Sequence, residues 1–229
     1  MNKTNNDRPT AGQAVNHPRA VWLVRHGNRM DFVSPEWLAT AARPHDPPLS
    51  PDGVVQAREV GVSLAGERID HIFASPFLRA VQTASQIADV LDRPVRIENG
   101  LCETFLPEWC PTDPRPLAAR ELKKQFPRVD VGYLSAVNPT YPETDKRMAA
   151  RTTETIGALT RSFAGNLLLV GHGGSMWGLC RALVGNVCSI HAALCCRIKV
   201  AQRDGRWVLE MDGRDTSHLS RSEQQIRLA

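Results

Sequence analysis

The chain has 229 residues, 42% of them apolar and 23% charged, with 28 basic against 24 acidic side chains for a formal net charge of +4. That length suits one α/β domain with its own core, and the composition excludes a globally disordered chain. The basic excess is too small to argue for nucleic acid, no apolar run of about eighteen residues offers a membrane span, and the polar stretch Met1–Asn16 lacks the apolar segment of a secretory signal. A cytoplasmic protein without nucleic-acid or membrane partners is expected. Arginines gathered in one pocket, more than the summed charge, would suit an anionic substrate. Cys102, Cys110, Cys180, Cys188, Cys195 and Cys196 show no Cys-x-x-Cys spacing, so they read as reduced thiols and not as disulfides or a metal site.

Residues 1–18 are polar, carry no period and read as an N-terminal tail. The run Ala20–Val24 fits a strand buried on both faces and stops at Arg25-His26-Gly27. Residues 28–50 carry Pro35, Pro44, Pro47 and Pro48 and are expected as loop, with a turn of helix at Trp37. Ser50-Pro51 then supplies a cap and a first-turn proline, and Val54, Ala57, Val60, Gly61 and Leu64 follow at helical spacing. Ile69–Ala74 is a second strand. Ser75-Pro76 reads as another capped helix start, ahead of the stripe Phe77, Ala80, Val81, Ala84, Ile87, Ala88 and Leu91. Pro94–Ile97 is a short third strand.

Residues 102–142 are proline-rich and mostly irregular, with one helix expected around Leu117–Gln125. Long irregular stretches in compact domains are usually functional, so this one reads as an insertion over an active site. Phe105, Trp109 and Tyr141 within it either line an entrance or form a satellite core. A helix follows over 143–163, with Met148, Thr152, Ile156, Leu159 and Phe163 on one face. Asn166–Gly171 is another buried strand, ending at His172, and a helix runs from Ser175 to Val184. Leu194–Ala201 and Trp207–Met211 form a hairpin through Asp204-Gly205, in which Cys195 and Cys196 would face opposite sides. Residues 214–229 read as a loose polar tail. Strands alternating with helices predict one α/β domain over 19–213, a three-layer α/β/α sandwich with a mainly parallel sheet.

Two strand ends share a pattern: Leu23-Val24-Arg25-His26-Gly27 and Leu169-Val170-Gly171-His172-Gly173. Ligands of open parallel sheets collect beyond the carboxyl ends of the strands, so both histidines are expected in one crevice. Singly, each reads as a hydrogen-bonded structural residue; paired at matching strand ends, they read as a site. Arg25, Arg29 and Arg79 fall at the same edge, and arginine is the natural clamp for phosphate. Glu103, just after the third strand, is the candidate acid for a leaving oxygen. Asp31 and Glu108 are secondary candidates. Oxidation of the adjacent Cys102 would interfere there.

These residues resemble the histidine phosphatase superfamily, also called phosphoglycerate mutase-like. Its Arg-His-Gly stands as Arg25-His26-Gly27, its second block as Ser75-Pro76-Phe77-Leu78-Arg79-Ala80-Val81-Gln82-Thr83-Ala84, and its second histidine as Gly171-His172-Gly173. The resemblance covers about residues 20–185. Arg25-His26-Gly27-Asn28-Arg29-Met30-Asp31 is similar to the Arg-His-Gly-Glu-Arg-Met-Asp of the phosphatase domain of the ubiquitin-associated, SH3-containing suppressors of T-cell receptor signalling. Glu143-Thr144 with Arg151 is also similar. This chain departs from that group at Asn28 and at His172-Gly173-Gly174, where the group has His-Ala-Ser.

The resemblance implies a phosphatase without cofactor or metal, in which His26 becomes a phosphohistidine. It implies that Arg25, Arg29, Arg79 and His172 hold the phosphoryl oxygens and that Glu103 serves as acid and then base. A small phosphorylated substrate or a phosphotyrosine-type ester is the implied partner, and a homodimer stays open. The rivals are a phosphoglycerate mutase sharing the pocket and a silent binding module keeping only the fold.

Overall fold

The computed structural model describes residues 20–108 and 111–221. The expected N-terminal tail, residues 1–18, therefore lies wholly outside the described residues, as do Trp109, Cys110 and the last eight positions of the C-terminal tail. Six strands form one sheet in the order β3-β2-β4-β1-β5-β6, with β1 Ala20–Arg25, β2 His71–Ala74, β3 Val95–Ile97, β4 Leu167–Gly171, β5 Arg197–Arg203 and β6 Arg206–Asp212. The first four in that order are parallel, and β5 and β6 close one side antiparallel.

Central strands buried on both faces must be apolar along their buried length, and β1 from Ala20 to Val24 and β4 are. Trp22, Val24, Ile72, Ala74, Leu168 and Val170 point to one face, against Val60 of helix α3 (Pro51–Ser63), Leu64 at its C-terminal cap, and Ala80, Val81, Ala84 and Ile87 of α4 (Leu78–Leu91). Val21, Leu23, Phe73, Leu167 and Leu169 point to the other, against Ile156 and Leu159 of α6 (Asp145–Ser162) and Met176 and Leu179 of α7 (Gly173–Val184). This is the expected three-layer arrangement. Short helices α1 (Met30–Val33) and α2 (Trp37–Thr40) interrupt the first loop, and α5 (Ala119–Lys123) lies inside the 102–142 stretch. Among the described residues, no helix is long and apolar enough to cross a membrane.

Several boundaries differ from the sequence reading. Ser50 does cap α3, accepting from Gly53 N at 3.1 Å. Ser75, however, does not cap α4: the helix starts at Leu78, whose amide donates to Asp46 Oδ1 at 2.7 Å, a long-range carboxylate doing the cap's work. Helix α7 begins at Gly173, so both glycines lie in its first turn. Strand β5 begins only at Arg197, because Cys195 takes a left-handed φ of 50°. The two adjacent cysteines precede the strand yet still enter opposite cores. Asp204 and Gly205 both have positive φ, as a two-residue hairpin turn requires. Residues 214–221 are not loose: Leu219 packs on the α3–α4 core, Ser220 N donates to Glu59, and Arg221 pairs with Asp52 of α3.

One buried carboxylate organises the insertion. Glu98, fully enclosed after β3, accepts from Gly100 N at 2.9 Å, Tyr133 Oη at 2.6 Å, Ser135 Oγ at 2.8 Å, and the amides of Ala136 and Val137 at 2.8 and 3.1 Å. A carboxylate out of water needs such a full set of donors.

The first turn of α3 presses on the loop after β1. A methyl group on Gly53 would lie 2.1 Å from the Asn28 carbonyl oxygen, and one on Gly27 would lie 2.6 Å from the Gly53 oxygen. Both obstacles are backbone and cannot rotate away. Gly53→Ala is expected to destabilise the fold by about 1–3 kcal/mol through this overpacking. Gly66→Ala, with nothing within 4 Å of the added carbon, is expected to stay within about 0.5 kcal/mol of the parent. Urea denaturation of the two variants checks the contrast.

Candidate active site

Parallel register builds the site. Arg25 of β1 lies opposite Gly171 of β4, and Ala74 of β2 lies opposite Val170. The next residues, His26, His172 and Ser75, therefore leave three adjacent strands in a row. The ladder continues through them, with His26 N donating to Gly171 O at 3.0 Å and Ser75 N to Val170 O at 2.9 Å. The imidazoles of His26 and His172 stand edge to face with centroids 5.2 Å apart, and both are buried.

Each ring has one committed nitrogen. His26 Nδ1 lies 2.7 Å from Gly27 O. A carbonyl only accepts, so Nδ1 carries the proton and Nε2 keeps its lone pair. His172 Nε2 lies 2.8 Å from Ser75 Oγ, while its Nδ1 is buried with no hydrogen-bond partner among the described residues. Both side chains are held well below the usual histidine pKa, first by burial and then by the Arg79 guanidinium.

The arginines are of three kinds. Arg79 is buried, its Nε and Nη1 make no hydrogen bond among the described residues, and its guanidinium stacks 4.6 Å above Phe77. Burial, then the nearby Arg29 cation, push its pKa down to about 10 despite Glu103, Asp46 and Asp31. Arg29 is half-buried, forms a two-bond ion pair with Asp31, and covers the Phe32 ring at 4.3 Å. Asp31 is thereby committed to Arg29. Arg25 is tied through Nη1 to Ala192 O at 2.7 Å, which links it to the segment before β5.

A cleft of about 420 Å³ opens beside Arg29 and Arg79, lined also by Asp31, Leu38, Pro44, His45, Phe77, Glu103, Thr104 and Phe105; His26, His172 and Arg25 are not among its lining residues. Glu103 is half-buried on its wall, its Oε1 accepting from Thr104 N at 3.0 Å. A Cβ on Gly174 would come within 2.8 Å of that oxygen, so glycine in the first turn of α7 leaves the room Glu103 occupies. Glu108 is solvent-exposed and is absent from the lining. Phe105 has both expected roles, since it lines the cleft and packs with Phe77, Cys102 and Tyr141.

Three contributors escaped the sequence reading. Ser75 passed as a helix cap; the signal available was its place at a strand end, the same one that marked the histidines. Arg151 was noted only for resemblance. In the fold it is buried against Glu143 with bonds of 2.7 and 2.6 Å, and its Nη1 donates to Gly100 O at 2.7 Å and Cys102 O at 3.0 Å. It thus fixes the segment that presents Glu103. Thr83, whose hydroxyl accepts from Gly27 N at 3.1 Å and donates to Arg79 O at 2.8 Å, ties the His26 loop to α4.

Residues 21–213 match the model of the histidine phosphatase superfamily, branch 1. The chain belongs to that superfamily. Among relatives, it is 30% identical over 213 residues to human ubiquitin-associated and SH3 domain-containing protein A, covering 76% of this chain and 32% of that protein. It is 27% identical over 238 residues to the Drosophila melanogaster ecdysteroid-phosphate phosphatase, covering 83% and 31%. The chain thus spans about a third of the length of these relatives. Among solved structures of the superfamily's fold, the ecdysone phosphate phosphatase of Bombyx mori in complex with tungstate superposes with a TM-score of 0.71 at 24% identity, over 84% of this chain and 92% of that one. A mycobacterial glucosyl-3-phosphoglycerate phosphatase with inorganic phosphate gives 0.62 at 21%, over 88% and 100%.

The two buried histidines carry a stability consequence. Above their unfolded pKa of about 6.5 they are neutral in both states. Below it, the unfolded chain binds protons that the folded chain declines, because the folded pKa values are depressed. Stability is therefore expected to fall as pH drops below about 6.5, by at most ~1.4 kcal/mol per pH unit for each histidine. Denaturation at stepped pH checks this, and His26→Gln should flatten the slope.

Proposed function

We propose that this protein is a phosphatase that hydrolyses phosphomonoesters through a phosphohistidine at His26, without a metal. One observation carries the reading: His26 commits Nδ1–H to the Gly27 carbonyl and is held neutral, which leaves Nε2 as a lone-pair nucleophile near the buried Arg79, whose Nε and Nη1 have no hydrogen-bond partner among the described residues. Splitting one displacement into two through a covalent intermediate lowers each barrier.

The Nε2 lone pair attacks phosphorus as the bond to the ester oxygen breaks. Glu103, protonated for this step, gives its proton to the departing alcohol. Water then attacks the phosphohistidine, Glu103 takes the water proton, and the P–N bond breaks to return neutral His26 and inorganic phosphate. Charge on the three non-bridging oxygens is met by Arg79, Arg25, Arg29 and His172. That preorganised set is where most of the catalysis in phosphoryl transfer arises. With guanidinium and imidazole donors in this role, no divalent ion is called for. A small phosphorylated substrate fits a cleft of about 420 Å³; the relatives named for phosphate-ester hydrolysis support that class, and a phosphotyrosine-type ester falls within it.

Purified protein is expected to hydrolyse an aryl phosphate in the presence of a chelator, and His26→Ala to abolish this. Retained activity in His26→Ala, or activity only with a divalent ion, would overturn the mechanism. Transfer between phosphoglycerates faster than hydrolysis would replace it with a mutase.

Glu103→Gln is expected to lower kcat by about 10²–10⁴ on an alkyl phosphate and far less on an aryl phosphate whose leaving group needs no proton. Equal losses on both esters would remove Glu103 from the acid role.

A further inference from the structure

Resting on that reading, we propose that Ser75 is a positioning residue that sets the tautomer of His172, so that its Nδ1–H faces the phosphoryl group as a hydrogen-bond donor. A neutral imidazole has one proton to place. On Nδ1 it makes His172 a donor to an oxyanion; on Nε2 it leaves a bare lone pair facing the same oxygens. Ring position alone does not choose between them, so the choice falls to whatever holds the other nitrogen.

The surroundings of Ser75 make that choice. Its hydroxyl has one hydrogen to give and two lone pairs to fill. Phe77 N donates to Oγ at 3.4 Å. Among the described residues, the strong acceptor within reach of the buried Ser75 O–H is His172 Nε2 at 2.8 Å. A proton on Nε2 would leave that hydroxyl hydrogen out of water without an acceptor, so the O–H donates to a bare Nε2. The remaining proton of His172 then sits on Nδ1, the atom that is buried and has no hydrogen-bond partner among the described residues. Both side chains are shielded from water, so no solvent molecule competes for the bond. Phe77 stacks edge-on against His172 with centroids 5.4 Å apart and holds the ring in plane for it. His26 and His172 therefore share one tautomer and use opposite nitrogens, His26 its bare Nε2 and His172 its protonated Nδ1.

The test is the nitrogen spectrum of the full chain labelled with ¹⁵N-histidine, with resonances assigned by their loss in His26→Asn and His172→Asn. The expected result is a protonated, pyrrole-type Nδ1 and a pyridine-type Nε2 for His172. In Ser75→Ala that preference should be lost, and binding of inorganic phosphate, followed by titration, should weaken by about tenfold or more. Ser75→Thr, which keeps the hydroxyl, should restore both. A wild-type His172 protonated on Nε2 overturns the proposal whether or not either variant folds. Unchanged phosphate affinity in a folded Ser75→Ala overturns it too. Failure of the phosphatase reading looks different, because it appears as hydrolysis surviving His26→Ala whatever the tautomer of His172.

Discussion

A guanidinium kept from water costs free energy unless negative charge or acceptors surround it. Arg79 lies in that condition at the carboxyl edge of the sheet: it is buried, two of its nitrogens make no hydrogen bond, and among the described residues it forms no ion pair. Glu103, Asp46 and Asp31 offset its charge from a distance without satisfying its donors. An incoming anion would supply the missing acceptor. Burial first, and then the same unrelieved charge, keep both histidines neutral, so the bare lone pair of His26 and the unmet donors of Arg79 share one enclosed setting.

Holding cations together requires a stiff frame, and the frame is the parallel block. Adjacent strands in fixed register deliver Ser75, His172 and His26 side by side. Helices α3 and α7 then close on the loops that follow. Gly53 allows α3 to touch the backbone behind His26, and Gly174 allows α7 to approach Glu103. Arg151 acts from below, spending its donors on Glu143 and on the carbonyls that lead into Glu103. None of these three reacts, yet each limits how far a reacting atom can stray, and small displacements in such geometry are costly.

The sheet and the two histidines were legible because apolar runs ending in His-Gly report directly on strand ends in a parallel sheet. The α4 stripe was legible because its burial period matched its sequence period. What stayed hidden depends on distance in the chain. Asp46 caps α4 from a preceding loop, which left Ser75 free for a different partner, and a local reading of Ser-Pro had no means of seeing either. The left-handed Cys195 shortened β5, and residues 214–221 found acceptors and a core on α3 that composition does not disclose. The Glu98 knot is invisible for the same reason, its donors lying 35 to 39 positions away apart from Gly100.

That knot has a bearing on how such a protein can change. With Glu98 fastening 133–137, and with the Glu143 amide bonded to the Phe105 carbonyl at 3.0 Å, the two flanks of the irregular stretch are pinned independently of what runs between them. Lengthening a loop between fixed ends adds only about 0.6 kcal/mol for each doubling. Residues 106–117 can therefore be rewritten or extended during divergence at small thermodynamic cost, while the wall made by Glu103, Thr104 and Phe105 stays as it was.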